Sequence, residues 1–290
     1  RKESSAASDV YKRQMLIQVA TLPILFTALY ANESFKGYVS NINLPPLFLI
    51  GSSVGGFLFG VFMYFTAGCG AGVFYKIGER NSGALIAAMG FIIGVNLTEK
   101  SSLTFIKEAS QSIIIFNQDP VWKLDSAWMI SIIVTILALV ILLGLYKLKD
   151  DNPKGALWGW KKTGFSIGIL GVIGWLSAMV VHSPYGMAII PGAMDLVGIN
   201  YSWGLLFVVG IPLGSFWGTR NNNKRFTIPK TNIIIKRAIG GFGLGVSGSI
   251  AAGCTVGHGL TFTPLLGVGS LVSVSFIFLG SGFVGYLTRK

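Results

Sequence analysis

The 290-residue chain is 52% hydrophobic and only 12% charged, with a mean hydropathy of +0.65, a balance that excludes an ordinary soluble domain and points to lipid as its solvent. Lys and Arg outnumber Asp and Glu by 23 to 11, for a net charge of +12; in a membrane chain this excess reads as cytoplasmic loops plus an electropositive path for an anion, where in a soluble chain it would suggest nucleic acid. Two cysteines cannot build a disulfide framework, and no Walker loop, zincin helix, Ser/His/Asp set or dinucleotide fingerprint is present, so neither an enzyme nor a cofactor is expected.

Residues 1–14 stand apart. Asp9-Val10-Tyr11-Lys12-Arg13-Gln14 reads as a translated sequencing adaptor, and the Ser/Ala stretch before it has no amphipathic period. The segment is taken as non-native, and residues 15–290 as a single transmembrane transport domain. Apolar runs near the length that a bilayer demands fall at 15–32, 45–67, 83–98, 126–147, 163–182, 201–219, 233–252 and 266–287. The fold class is therefore an all-α integral membrane protein with about eight spanning or partly spanning helices. The run at 83–98 is short, and those at 45–67 and 233–252 end at a cysteine, so helix breaks are expected there.

Loop charge sets the orientation. Lys147, Lys149, Lys154, Lys161 and Lys162 mark one cytoplasmic loop; Arg220, Lys224, Arg225, Lys230, Lys236 and Arg237 mark another. Segment 183–200, whose sole charge is Asp195, then lies on the other side, and Arg289 and Lys290 place the C-terminus in the cytoplasm. Trp122, Trp128, Tyr201, Trp203 and Trp217 sit near span ends as interfacial anchors would, and His182 is likewise read as interfacial. The stretch 99–125 fits an amphipathic surface helix and a re-entrant segment equally well.

The feature with most chemical content is a repeat. Gly55 to Gly72 and Gly240 to Gly257 are identical at nine of eighteen positions at a constant offset of 185, and each copy carries one of the two cysteines, Cys69 and Cys254. With one residue of gap the likeness continues, Gly83, Leu85 and Gly94 matching Gly269, Leu271 and Gly280. The repeat units span about 45–98 and 233–287. Each reads as a glycine-lined helix, a cysteine turn, a short connector and a second glycine-flanked helix. A thiol beside glycines at a helix start lies where backbone N–H groups are unpaired and the dipole is positive, a place that binds anions. Non-helical backbone at membrane depth either lines a cavity or is packed in protein. A single Cys in an apolar run is usually a small hydrophobe; two at equivalent repeat positions point to a path whose candidate residues are Cys69, Cys254, Gly68, Gly70, Gly253 and His258.

His258 follows Cys254 by four residues, but Val73 stands at the matching place of the first repeat, so a metal site is not expected; a hydrogen-bonding or proton-responsive role for His258 is. Lys76 and Arg80, at i and i+4, would share a helix face and form an electropositive mouth near Cys69, or equally a headgroup anchor.

At Gly55-Gly56-Phe57-Leu58-Phe59-Gly60, Ala67-Gly68-Cys69-Gly70-Ala71-Gly72 and Gly253-Cys254-Thr255-Val256-Gly257-His258-Gly259-Leu260 the chain resembles the YeeE/YedE family of bacterial membrane proteins, associated with sulfur transport and thiosulfate uptake. The resemblance implies an hourglass-like helical protein of the inner membrane, with cysteines along the substrate path. Cys69 and Cys254 match two of them. A third, in the family's first helix, has no counterpart here; a cut at the segment 1–14 and a divergent subgroup both account for that. The resemblance implies uptake of a sulfur-containing anion, thiosulfate first, with a cytoplasmic sulfur-handling protein as a further partner. The alternatives are a related selenium or sulfur species, or a membrane thiol-redox protein.

Overall fold

The computed structural model describes residues 2–146, 160–220, 226 and 229–288. Of the charges used for orientation, Lys147, Lys149, Lys154, Lys224, Arg225, Arg289 and Lys290 fall outside these residues. In chain order the α-helices are α1 (Lys2–Ala31), α2 (Glu33–Ser40), α3 (Gly56–Thr66), α4 (Gly70–Gly78), α5 (Ser82–Lys100), α6 (Thr104–Gln111), α7 (Ala127–Tyr146), α8 (Trp160–Val180), α9 (Ile189–Gly198), α10 (Trp203–Gly218), α11 (Thr231–Ile250) and α12 (Val268–Leu287). Wider π-helical turns occupy Gly51–Gly55 and Thr255–Phe262.

The protein is an all-α membrane protein. Among the described residues six helical stretches are long and apolar enough to cross a bilayer, or seven if α9 and α10, bent by 98°, count as one; Met15–Ala31 is a shorter apolar helix. These match the eight expected runs, with one addition. The segment 183–200, expected to lie outside the membrane, contains α9, whose Ile189, Ile190, Gly192 and Ala193 are buried. Pro191 lies in its first turn, where a missing N–H is harmless. α9 stops at Ile199 in the left-handed conformation (φ 52°), and Ser202, the N-cap of α10, accepts from Leu205 N–H and donates to Asp195.

The chain divides into two compact units. The first holds α1, α2, α7, α8 and residues 259–267. Its core is Leu22, Phe26, Trp122, Trp175, Met179 and Leu265 with neighbours from α2. Phe26 meets Trp122 and Trp175 edge to face, with ring centroids 4.9 and 5.3 Å away, an arrangement that suits the aromatic quadrupole. Trp122, expected at an interface, is thus a core residue at 2% exposure, whereas Trp128 and Trp217 are exposed as anchors would be. Pro23 interrupts the α1 ladder, and α7 serves the carbonyls around it, Thr135 donating to Ala20 O and Ser131 to Pro23 O. His182 stacks on Tyr38, ring centroids 4.7 Å apart.

The second unit holds α3–α6 and α9–α12, and its helices meet at glycines. A Cβ at Gly60 of α3 would lie 2.1 Å from Ile277 O of α12; at Gly245 of α11 it would lie 2.3 Å from Phe91 O of α5. Gly280 of α12 and Gly94 of α5 answer in kind, with 2.0 Å to Phe57 O and 2.4 Å to Phe242 O. Every residue of the first contact maps onto the second at an offset of 185 in the helix before the cysteine and 186 in the helix after it. The glycine helix of each repeat therefore packs on the later helix of the other repeat, through equivalent positions. Only glycine permits backbones this close.

Within the ambiguous stretch 99–125, residues 104–116 form a surface strap, while Val121 and Trp122 are buried. α6 buries none of its residues, Ile114–Phe116 pairs antiparallel with Leu47–Phe48, and a Glu99–Lys107 ion pair at 2.6 Å holds α6 to the end of α5.

Candidate functional site

Both cysteine turns are built the same way. α3 ends at Thr66, and Ala67 turns left-handed (φ 52°); Gly68 N–H then bonds to Met63 O at 3.0 Å. α11 ends at Ile250, Ala252 turns left-handed (φ 61°), and Gly253 N–H bonds to Gly248 O at 2.9 Å. Two helix C-terminal motifs that normally use glycine in the left-handed position thus use alanine there, at matching places. The next residue but one is the cysteine. From each cysteine a new helical segment starts, with Val73 N–H on Cys69 O and His258 N–H on Cys254 O, both at 2.9 Å.

Cys69 is the N-cap of α4, in extended conformation, and its side chain makes no capping hydrogen bond. Its sulfur lies over the first turn of its own helix, 3.7 Å from where a Cβ on Gly72 would stand. Cys254 is 1% exposed, against a partly exposed Cys69, and both are free thiols. The backbone amides of Gly257, Val256 and Ile189 lie near the Cys254 sulfur. Ile189 is the first residue of α9, which likewise has no side-chain cap. Its side chain borders Gly70, 3.7 Å from a Cβ built there. α4 starts at Cys69 and the segment Thr255–Phe262 follows Cys254, while α9, uncapped by any side chain like α4, starts beside the Cys69 turn. Such starts carry partial positive charge and unpaired donors.

The charged candidates separate. The Lys76 side chain folds back and donates to Ala67 O, the carbonyl of the left-handed residue in the Cys69 turn. α4 ends at Gly78, which is pressed against Pro212 O of α10. Arg80 lies beyond that end in left-handed conformation, its guanidinium 5.5 Å from the Phe216 ring centre. The shared helix face expected of Lys76 and Arg80 does not exist: α4 ends at Gly78 and Arg80 is the left-handed residue of its terminal turn, with Asn81 N–H bonded back to Lys76 O at 3.1 Å. Of the path candidates, Gly68, Cys69, Gly70, Gly253 and Cys254 all lie in these turns. His258 is buried with both ring nitrogens engaged, at 3.0 Å to Ser270 Oγ and 2.8 Å to Ala251 O.

Three contributors carried no signal in the sequence. Ile189 brings a backbone amide near Cys254, and a backbone group has no residue-type signature. Asn96 of α5 donates to Ala193 O at 3.2 Å and so ties α9 in place. Gln111 of α6 donates to Ser249 O and Ile250 O at 3.0 and 3.1 Å, capping the end of α11 just before the second turn. Asn96 lies inside the apolar run 83–98 and Gln111 just before Ile113–Phe116, and neither position tells which distant carbonyl it serves.

A family model described as sulphur transport matches residues 7–283. The thiosulfate transporter TsuA of Spirochaeta thermophila is 24% identical over 310 aligned positions, covering 98% of this chain and 92% of that one. The thiosulfate transporter TsuA of Escherichia coli is 23% identical, covering 80% of this chain and 72% of that one.

Proposed function

The chain belongs to the sulphur transport family, and from that premise we propose that it takes up thiosulfate across the bacterial inner membrane, along a path lined by Cys69 and Cys254. The observation that carries this reading is that a helical segment starts directly after each of the two thiols, with the uncapped start of α9 beside the first. Thiosulfate is a dianion, and stripping its water in lipid is prohibitive without substitute donors. Amide groups at the turns replace hydration at its oxygens, while a thiol S–H is a weak donor suited to its terminal sulfur. Gly68, Gly70 and Gly253 place no side chain of their own beside the thiols, which leaves backbone N–H groups as the donors next to them. Weak contacts at two successive stations favour passage over trapping.

Lys76 and Arg80 supply the positive approach on the Cys69 side. Arg289 and Lys290 put the C-terminus in the cytoplasm by the positive-inside rule, where a sulfur-handling protein would receive the product. No covalent step is required, so the protein acts as a carrier or channel and not as an enzyme. The likeness to two thiosulfate transporters across most of the chain supports the choice of ion.

The test is uptake of radiolabelled thiosulfate by cells lacking their own importers. Expression of the chain restores uptake, and Cys69→Ala or Cys254→Ala each lowers it at least about tenfold, at equal membrane levels, if each thiol contributes a contact worth about 1.4 kcal/mol in the barrier. Near-normal uptake in both single variants refutes the two-station path.

A further inference from the structure

We propose that His258 is a latch that holds the Cys254 turn closed over its thiol, and thus a positioning residue for the transported anion, not a ligand of it. Its bearing on transport rests on the reading above; the latch itself does not.

The imidazole is 1% exposed. Nε2 lies 2.8 Å from Ala251 O. A carbonyl can only accept, so Nε2 carries the hydrogen, and in the neutral ring Nδ1 accepts from Ser270 Oγ–H at 3.0 Å. Ala251 is the C-cap of α11, directly before the left-handed Ala252. Ser270 belongs to the first turn of α12. His258 itself is the fourth residue of the helical segment that Cys254 opens. One ring thus ties together the end of one helix, the start of the next and the segment between them. It also packs against the residue preceding the thiol: a Cβ on Gly253 would come within 2.7 Å of Nε2.

The other turn lacks this device. Val73 occupies the equivalent position, and the ammonium of Lys76, on a long and partly exposed stem, serves the carbonyl of Ala67, one residue on from the counterpart of Ala251. A lysine stem has four rotatable bonds, whereas the imidazole is rigid and held at both nitrogens. The thiols differ accordingly, Cys69 being partly exposed and Cys254 sealed. The latched turn is the fixed constriction and the lysine-served turn the adjustable one.

Cys69→Ala leaves Cys254 as the single thiol of the chain. In that background the rate of reaction with a water-soluble maleimide is measured for His258, His258→Gln, His258→Leu and Ser270→Ala. His258→Leu speeds labelling by about tenfold, the factor that corresponds to one lost hydrogen bond of about 1.4 kcal/mol. His258→Gln, whose Nε2 still donates to Ala251 O, stays within a few-fold of His258, and Ser270→Ala falls between. Should His258→Leu fail to insert, Ser270→Ala decides alone. Labelling at the His258 rate in the inserted Leu and Ser270→Ala variants overturns the latch, as does a Gln variant that labels as fast as Leu. Thiosulfate uptake is measured on the same substitutions with both cysteines present. If the chain with His258 carries no thiosulfate, the transport reading fails while the labelling rates still judge the latch. If it does, His258→Leu lowers the maximal rate and His258→Gln largely restores it.

Discussion

Replacing Gly60 or Gly245 by alanine tests the packing on which the cysteine turns rest. An added Cβ would stand 2.1 Å from Ile277 O in the first case and 2.3 Å from Phe91 O in the second. Ordinary carbon–oxygen contact needs about 3.3 Å, so each helix pair must part by about 1 Å, and the neighbouring atom is backbone and cannot swing aside. Overpacking of this kind costs about 1–3 kcal/mol. Against it stands the gain of up to about 1 kcal/mol when glycine becomes alanine inside a helix. Gly282→Ala on α12 isolates that gain, because a Cβ there meets nothing within 4 Å. Thermal unfolding in detergent, followed by tryptophan fluorescence, should show Gly282→Ala melting at or above the parent. Gly60→Ala and Gly245→Ala should melt lower, by an amount equivalent to about 1–2 kcal/mol, and by similar amounts because the contacts are equivalent. A rise in melting temperature for either, comparable to that of Gly282→Ala, refutes the close approach.

Lys76→Met removes the cation folded onto the Cys69 turn. The concentration of thiosulfate at half-maximal uptake should rise about three- to tenfold at low salt, with less effect at high salt, as expected for a partly exposed charge acting on a dianion; an unchanged value removes Lys76 from the approach. Gln18 is fully buried, and among the described residues neither polar atom of its amide has a partner. Gln18→Leu therefore relieves an unpaid desolvation penalty and should raise the melting temperature by the equivalent of about 1 kcal/mol; a fall would mean that the amide is bonded.

The cysteine turns were legible because their chemistry and their backbone geometry coincide in the sequence: the glycines that allow close packing are the ones that repeat. The long apolar helices were legible from length alone. α9 was not, because ten residues containing Pro191 and Asp195 look like a loop until the bend after Ile199 folds them back. Trp122 looked interfacial because tryptophan near a charged stretch usually is; its burial against Phe26 depends on partners far along the chain. Arg80 was misjudged for a different reason. The helix that would have aligned it with Lys76 ends at Gly78, where Arg80 itself takes the left-handed position that glycine usually marks in a sequence. Gln111 and Asn96 act on carbonyls in other elements, and such long-range pairings have no local period.

The crossed packing of the two repeats has a consequence for their origin. When residue 60 meets 277 and residue 245 meets 91, position i of one copy touches position j of the other, and j of the first touches i of the second. That reciprocity defines an isologous dimer interface. A chain bearing one repeat, met by an identical chain, would make every one of these contacts, and would bring its one cysteine beside that of its partner. In one chain the two copies need not assemble, and each thiol turn can differ from the other. The histidine at one turn and the lysine serving the other are differences that two identical subunits could never have held.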